Sequence, residues 1–158
     1  MAMAISNTSP LQYLHQLGLL DLLPRLFSTI VVPDAVAREL AEGIALGVDL
    51  PRLDRFPWIG VRSPSSQRPD LGLLHAGEAA AIALALELGN HILILDDARA
   101  RSWAIAKGLP ITGTLGIVLD FKKIGAIPLV LPILDRLVGL RFRIDPKTCS
   151  SMLKLAGE

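Results

Sequence analysis

The sequence predicts a single α/β domain in which helices cover both faces of a parallel β-sheet. Segments typical of strands and of helices alternate along the chain, which is the order expected of βαβ units. Apolar residues make up 51% of the chain but aromatic residues only 4%, so aliphatic side chains must fill the core, as in sheets buried on both faces. The length of 158 residues fits one domain, which we assign to residues 1–158.

A strand and a helix open the chain. Residues 4–6 predict a short buried strand, and the helix after it is expected to have Ser9 as its N-cap and Pro10 at its first position. The rest of the first half contains two helical segments and one β-branched run. These are, in order, a short helix at 19–27, a strand at 29–32, and a helix at 35–42 that ends at Gly43.

A proline-rich connection leads to the second half. Residues 50–70 contain four prolines and predict an irregular segment, with residues 58–61 as a short edge strand. After this connection, strands and helices alternate regularly. The predicted elements are a buried helix at 77–88, strands at 91–95 and 110–112, helices at 98–107, 114–123 and 128–138, an extended stretch at 141–144, and a helix from Pro146.

Polar and acidic side chains collect where the strands end. Because crossovers between parallel strands are right-handed, the carboxyl ends of all strands lie along one edge of the sheet, where such folds bind ligands. Two carboxylates on helices, Glu39 and Glu78, are placed to face the same crevice. The residues that follow the strands there are Asn7, Thr8, Ser9, Asp96, Asp97, Thr112 and Thr114.

Some of these residues have a purely structural explanation. Asp96 is placed to cap the helix that follows it, and Asp97 to pair with Arg101 one turn later. Thr114 is placed as the N-cap of the next helix. Two features favour a functional role instead. First, a carboxylate such as Glu78, on an otherwise apolar helix, needs a partner or a cation. Second, the adjacent carboxylates of Asp96 and Asp97 attract Mg²⁺ or Mn²⁺, which prefer oxygen ligands.

The composition excludes several classes of protein. A net charge of +1, from 16 basic and 15 acidic residues, excludes a strongly basic nucleic-acid-binding surface. The single cysteine, Cys149, excludes an intrachain disulfide and a cysteine zinc cluster, and no histidine has metal-ligand spacing. The mean hydropathy of +0.49 is high. However, no uninterrupted apolar run of about 18 residues predicts a membrane span, and no signal peptide is recognised. We attribute the excess of apolar residues to a sheet covered on both faces together with an oligomer interface, and we expect a cytoplasmic homodimer.

Four segments together resemble PIN domains, and most closely the DUF3368 branch of small prokaryotic PIN-like proteins. Their sequences are SNTSPL at 6–11, GEAAAIALA at 77–85, LDDARA at 95–100 and TGTLG at 112–116. The resemblance implies a three-layer α/β/α sandwich with a five-stranded parallel sheet. It also implies a ribonuclease dependent on Mg²⁺ or Mn²⁺, which in this family is often the toxin of a toxin–antitoxin pair and often a dimer.

The resemblance also implies roles for individual residues. Asn7 falls where PIN nucleases carry their first aspartate, and its amide oxygen can coordinate a cation but brings no charge. The expected catalytic acids are Glu39, Glu78, Asp96 and Asp97. The expected metal ligands are Asn7, Glu78, Asp96 and Asp97, with Thr8, Ser9 and Thr112 as supporting hydroxyls and Arg99 and Arg101 as contacts to RNA phosphates.

Three other interpretations remain open at this point. The first keeps the fold but makes the protein a module that binds RNA or a protein partner without cutting. A phospho-receiver domain is also doubly wound with an acidic pocket, but its acid pair follows the first strand, where this chain has Asn7. A nucleotide-binding Rossmann domain needs a G-x-G-x-x-G segment after the first strand, which this chain lacks.

Overall fold

The computed structural model describes all residues from 1 to 158 and contains five strands and seven α-helices. The strands are β1 (Ala2–Ser6), β2 (Phe27–Pro33), β3 (Ile59–Arg62), β4 (His91–Ile94) and β5 (Ile111–Thr112). The helices are α1 (Thr8–Gln16), α2 (Asp34–Ala45), α3 (Ala76–Leu88), α4 (Ala98–Ala106), α5 (Thr114–Lys123), α6 (Leu131–Gly139) and α7 (Pro146–Leu155).

The strands form one sheet in the order β3-β2-β1-β4-β5, and every pair is parallel. The central strand β1 pairs on both sides, since Ala4 lies opposite Ile30 of β2 and Ile92 of β4. Alternate residues face opposite layers, so two buried cores form, one around α3 and α4 and the other around the remaining helices. The expected three-layer α/β/α sandwich with five parallel strands is thus confirmed. None of its helices has the length and apolarity needed to cross a membrane.

The strand order places a switch point between β1 and β4. From β1 the chain adds β2 and β3 on one side, and it then returns to add β4 and β5 on the other. In open α/β sheets such a reversal leaves a crevice outside the carboxyl ends of the two central strands, and ligands bind there. Asn7 follows β1 and Asp96 follows β4 within two residues, so the sheet brings these positions to the crevice.

The first helix begins earlier than the sequence predicts. Asn7, and not Ser9, occupies the N-cap position of α1, so Pro10 lies at the third helical position. The chain enters the helix as soon as β1 ends, while the Asn7 N–H still donates to Ile94 O at the end of β4. Proline is tolerated at this position because the N–H groups of a first helical turn have no intrahelical partner.

Two further boundaries in the first half differ from the prediction. The segment after α1 is a 3₁₀ helix, Leu20–Arg25, in which Pro24 lacks a backbone donor, and Phe27 already belongs to β2. Gly43 lies inside α2 and does not end it. A side chain at Gly43 would collide with Leu50, so this glycine provides packing space.

Two helix caps come from residues other than those predicted. Asp97, and not Asp96, caps α4, since its Oδ2 accepts the Ala100 N–H at 2.9 Å. Gly113, and not Thr114, occupies the N-cap position of α5. The Thr114 N–H donates instead to Asp96 Oδ1 at 2.7 Å, so Asp96 caps the neighbouring helix from the adjacent strand.

The C-terminal region also differs from the prediction. Helix α6 begins at Leu131, three residues after its predicted start, where the Glu158 carboxylate accepts the N–H groups of Val130 and Leu131. Residues 141–144 form no strand, and Arg141 has a positive φ of 67° that is incompatible with an extended chain.

Candidate active site

An open cleft of about 560 Å³ lies at the crevice, between the end of β1 and the helices α2 and α3. We call it the acidic cleft. It brings together five of the predicted site residues from three distant segments, namely Asn7, Thr8, Ser9, Glu39 and Glu78.

The Asn7 side chain lines this cleft. It makes no capping hydrogen bond although it occupies the N-cap position of α1, and the residue is only 7% exposed. Its Oδ1 lies 3.1 Å from the position that a Cβ atom would take at Gly77, and Glu39 Oε2 lies 3.2 Å from the same position. The absence of a side chain at Gly77 thus lets an amide oxygen and a carboxylate oxygen approach the first turn of α3.

Glu39 is held in place by Thr8. The Thr8 hydroxyl donates to Glu39 Oε2 at 2.8 Å, which links the start of α1 to α2 across the cleft. The hydroxyl that the sequence marks as a supporting group therefore contacts one of the predicted acids. Glu39 itself is exposed, so its carboxylate is accessible from solvent.

Glu78 lies half-buried in the first turn of α3. Burial raises the pKa of its carboxyl above the ordinary value of 4.5, the negative charge of Asp97 raises that pKa further, and Glu39 adds a smaller increase. The charge and the backbone N–H of His75 act in the opposite direction. The negative charges of Asp97 and Glu39 thus both act on the Glu78 carboxylate, and a cation beside it would relieve this repulsion.

Asp96 is the most constrained of the predicted acids. Its Oδ1 accepts the backbone N–H of Thr114 at 2.7 Å, while its Oδ2 accepts the Thr114 hydroxyl at 2.7 Å and the Ser9 hydroxyl at 3.0 Å. Thr114 is completely buried. We call these three residues the Asp96 clasp, because they tie α1 to the ends of β4 and β5.

Ser9 of the Asp96 clasp lines the acidic cleft, and Asp96 lines a second cavity of about 390 Å³. We call it the arginine cavity, because Arg101 and Arg143 line it, together with Asp96 and Thr112. The predicted ion pair between Asp97 and Arg101 is absent. Asp97 is turned toward the N-terminus of α4, and Arg101 Nη1 donates to Leu95 O at 2.8 Å. Arg99 is exposed and lines neither cavity.

This architecture agrees with the comparison of the sequence with known families. The sequence model of DUF3368, described as a PIN domain, matches residues 3–158. The chain belongs to the DUF3368 family of PIN domains. Membership indicates a function of the nuclease type, and PIN domains generally use divalent metals and often bind RNA and antitoxins. A comparison with curated proteins gives no match.

The donor atoms of this PIN domain fit a divalent cation in their chemistry. Asn7 Oδ1 and the carboxylates of Glu39, Glu78 and Asp97 all offer oxygen, the ligand that Mg²⁺ and Mn²⁺ prefer. As the side chains stand, no three acidic, histidine or cysteine groups lie close enough together to hold an ion. Glu39 and Asp97 are exposed, and each of their carboxylates accepts a hydrogen bond, from the Thr8 hydroxyl and the Ala100 N–H respectively.

From the sequence, no functional role is predicted for two residues of the acidic cleft, Gly77 and His75. Gly77 is needed for the close approach of Asn7 and Glu39, and its signal in the sequence is a glycine in a first helical turn, where alanine is the better helix former. His75 occupies the N-cap position of α3 and lines the cleft. No pattern in the sequence marks it, because its contact with the cleft arises only from the packing of α3 beside α1 and α2.

Proposed function

We propose that this PIN domain is a ribonuclease that uses Mg²⁺ or Mn²⁺ in the acidic cleft. The observation that carries the proposal is the half-buried Glu78 carboxylate, whose pKa is raised by burial and by neighbouring acids at the switch point of the sheet. A carboxylate that is poorly solvated and repelled by its neighbours is stabilised when a cation binds. Perturbed acids grouped in a cleft are also enriched at functional sites.

Four residues would hold the cation. Glu78 and Glu39 provide anionic ligands, Asn7 provides a neutral oxygen, and Asp97 adds negative charge from the β4 side. A bound Mg²⁺ or Mn²⁺ would supply a Lewis acid for the phosphate and lower the pKa of a water molecule. The overall reaction adds water across one phosphodiester bond of RNA, which leaves one end with a hydroxyl and the other with a phosphate.

The hydroxyls act as positioning groups in this proposal. Thr8 orients Glu39, and Ser9 donates to Asp96, so both keep the first turn of α1 aligned with the acids. Asp96 itself is assigned to positioning and not to direct metal binding, since three hydrogen bonds already engage its two oxygens. Thr112 lines the arginine cavity, where a hydroxyl can contact substrate.

A second candidate function is binding of RNA or of a protein partner without cleavage. Two observations favour it. Asn7 brings no charge to a position where PIN nucleases carry an aspartate, and the Asp96 carboxylate is engaged within the protein. Fewer free carboxylates attract a divalent cation less strongly, because affinity depends on the number of charged ligands.

An RNA-cleavage assay with Mn²⁺, with and without a chelator, distinguishes the two functions. Glu78→Gln removes one charge at nearly constant shape, and Glu87→Gln is the matched control at the other end of α3, where Glu87 is exposed. We expect cleavage only with metal, and for Glu78→Gln at least the roughly 10–100-fold loss typical of a disturbed metal site. The control should retain activity.

Other outcomes have distinct meanings. Metal-dependent cleavage that survives in Glu78→Gln contradicts the assignment of the acidic cleft. RNA binding by the wild-type protein, without cleavage at any Mn²⁺ concentration, supports the binding module.

We also propose that the protein is cytoplasmic and acts as the toxin of a toxin–antitoxin pair, as a homodimer. The dimer is supported by large exposed apolar side chains on and around α6 and α7, namely Leu129, Leu131, Val138 and Leu155. A small DNA-binding protein encoded next to this chain, and binding to it when both are expressed together, would support the antitoxin. Light scattering of the purified protein tests the dimer.

A further inference from the structure

The arginine cavity has no part in holding the metal. Its only acidic lining residue is Asp96, whose two oxygens already accept three hydrogen bonds within the clasp. Arg101 and Arg143 supply two positive charges to the same walls. The cavity is therefore locally basic, although the net charge of the whole protein is only +1.

The Arg101 side chain is fixed and has no anionic partner. Its Nη1 donates to Leu95 O at 2.8 Å, and no carboxylate oxygen lies within 4.0 Å of the guanidinium. The residue is nevertheless half-buried. Asp96 Oδ1 and Arg101 Nη1 lie 2.9 Å and 3.0 Å from the same Cβ position at Gly113, but they form no ion pair. A partly desolvated cation gains from a closer counter-charge, and most of the N–H donors of this guanidinium remain free. These properties favour binding of an anion.

Two glycines keep the walls of the cavity open. A Cβ atom at Gly113 would lie 2.9 Å from Asp96 Oδ1 and 3.0 Å from Arg101 Nη1, so any side chain there would displace both groups. A Cβ atom at Gly116 would lie 2.5 Å from Thr112 Oγ1. The absence of a side chain at Gly116 thus leaves space beside the Thr112 hydroxyl, and this hydroxyl can donate a hydrogen bond to an anion.

We propose that the arginine cavity binds a backbone phosphate of the RNA strand whose next segment lies in the acidic cleft. Arginine guanidinium groups bind phosphate oxygens through paired hydrogen bonds, which suits Arg101 and Arg143. Ser9 lines the acidic cleft and Asp96 lines the arginine cavity, and a hydrogen bond of 3.0 Å joins the two side chains. The cavities are therefore neighbours, and one RNA strand can contact both. This inference rests on the proposed RNA-directed function and names the contact that holds the substrate.

An aromatic ring at the cavity favours a nucleic acid over a small anion. Phe142 lines the cavity next to Arg143, and Tyr13 holds its ring in an edge contact, with centroids 4.9 Å apart. Aromatic rings that flank a basic groove stack on the bases of single-stranded RNA. In this proposal, the base next to a phosphate bound at Arg143 contacts Phe142, which is the preceding residue in the chain.

RNA binding in the presence of a chelator tests the proposal independently of cleavage. A fluorescent single-stranded RNA is titrated by anisotropy at several salt concentrations with the wild-type protein, with the variants Arg143→Gln, Arg143→Lys and Arg101→Gln, and with the control Arg25→Gln. Arg25 is exposed and lines neither cavity. We expect Arg143→Gln to weaken binding and to reduce the slope of log K against log salt by about 0.7 for the lost phosphate contact. Arg143→Lys should keep the slope with lower affinity, and the control should match the wild type.

Several results would overturn the subsite. Wild-type slope and affinity in both Arg143→Gln and Arg101→Gln would do so, as would the absence of salt-dependent RNA binding by the wild type. Competition with inorganic phosphate identifies the ligand. If Arg143→Gln loses binding of inorganic phosphate but not of RNA, the cavity takes a free anion and the RNA contact is wrong.

A parallel Mn²⁺-dependent cleavage assay separates this inference from the proposed function. If Arg143→Gln reduces the salt dependence of RNA binding as expected but the wild type cleaves no RNA, the proposed hydrolysis is refuted and the phosphate subsite is supported. Cleavage by the wild type, with wild-type slope and affinity in both Arg143→Gln and Arg101→Gln, refutes the subsite alone.

Discussion

Replacing Asp96 with alanine is expected to destabilise the protein strongly, even without metal. Asp96→Ala removes the acceptor for three hydrogen bonds, two from Thr114 at 2.7 Å and one from Ser9 at 3.0 Å. Thr114 is completely buried in the folded protein, and its N–H and its hydroxyl both donate to the Asp96 carboxylate. Ser9 is only half-buried, and water can satisfy its hydroxyl.

The expected loss of stability in Asp96→Ala follows from the difference in burial between Thr114 and Ser9. Each buried donor that is left unsatisfied costs about 1–3 kcal/mol, so the two Thr114 donors together cost roughly 2–6 kcal/mol. For a chain of this length that corresponds to a fall in Tm of roughly 4–24 °C. Asp96→Asn should cost only about 1–2 kcal/mol, because its carbonyl oxygen keeps the Thr114 N–H and the hydroxyls can accept from its amide.

Urea unfolding in the presence of a chelator, followed by circular dichroism, measures these differences. Asp97→Ala is the matched control, since it removes the neighbouring carboxylate and an exposed cap, which costs about 1 kcal/mol. The expected order of destabilisation is Asp96→Ala far above Asp96→Asn, with Asp97→Ala similar to Asp96→Asn or below it. If Asp96→Asn is as stable as the wild type or more stable, carboxylate repulsion outweighs the clasp, and Asp96 returns to the set of metal ligands.

Three further predictions concern the acidic cleft. Asn7→Asp should lower the stability of the metal-free protein and tighten Mn²⁺ binding, because it adds a carboxylate beside Glu39. Calorimetry measures the Mn²⁺ dissociation constants of the wild type and of the variant. Equal values would place Asn7 outside the metal site. Because the folded-state pKa of Glu78 is raised, this carboxyl contributes a loss of stability as pH rises from the ordinary 4.5 through the raised value, and Glu78→Gln lacks that contribution. Metal-free urea unfolding should therefore give equal stabilities well below that pH and a more stable variant at neutral pH, and a less stable variant there would contradict the electrostatic argument. Gly77→Ala should change stability little, because a helix gain of about 1 kcal/mol offsets contacts of 3.1–3.2 Å, yet it should weaken Mn²⁺ binding in the same calorimetric experiment.

The fold was largely predictable because the signals for it are local and repeated. The apolar run at residues 91–95 and the β-branched run at 29–32 gave strands, and the regular alternation with helices gave a parallel sheet. Even the edge strand predicted at 58–61 is present, shifted by one residue. The right-handed crossover rule then placed Asn7 and Glu78 at one edge of the sheet, and the structure brings both to the acidic cleft.

The details that were wrong depend on contacts between distant segments. Asp96 and Asp97 are the same residue type, and either can cap α4. The choice is made by Thr114, 18 positions later in the sequence, and by Ser9, 87 positions earlier, which together engage Asp96 and leave the cap to Asp97. Arg101 likewise contacts the Leu95 carbonyl in place of the predicted i,i+4 partner, and such a choice cannot be read from helical spacing.

The position of the Asp96 clasp explains how a nearly neutral protein can bind both a divalent cation and RNA, which is a polyanion. A net charge of +1 gives little long-range attraction to RNA, so recognition must come from local fields. Acids and amide oxygens gather on one side of the clasp, and Arg101 and Arg143 on the other. Because the Asp96 carboxylate is held by Ser9 on one side and Thr114 on the other, its negative charge compensates neither arginine through a close ion pair. Losing the clasp would therefore disturb both sites together, whereas Glu78→Gln and Arg143→Gln each alter one side alone.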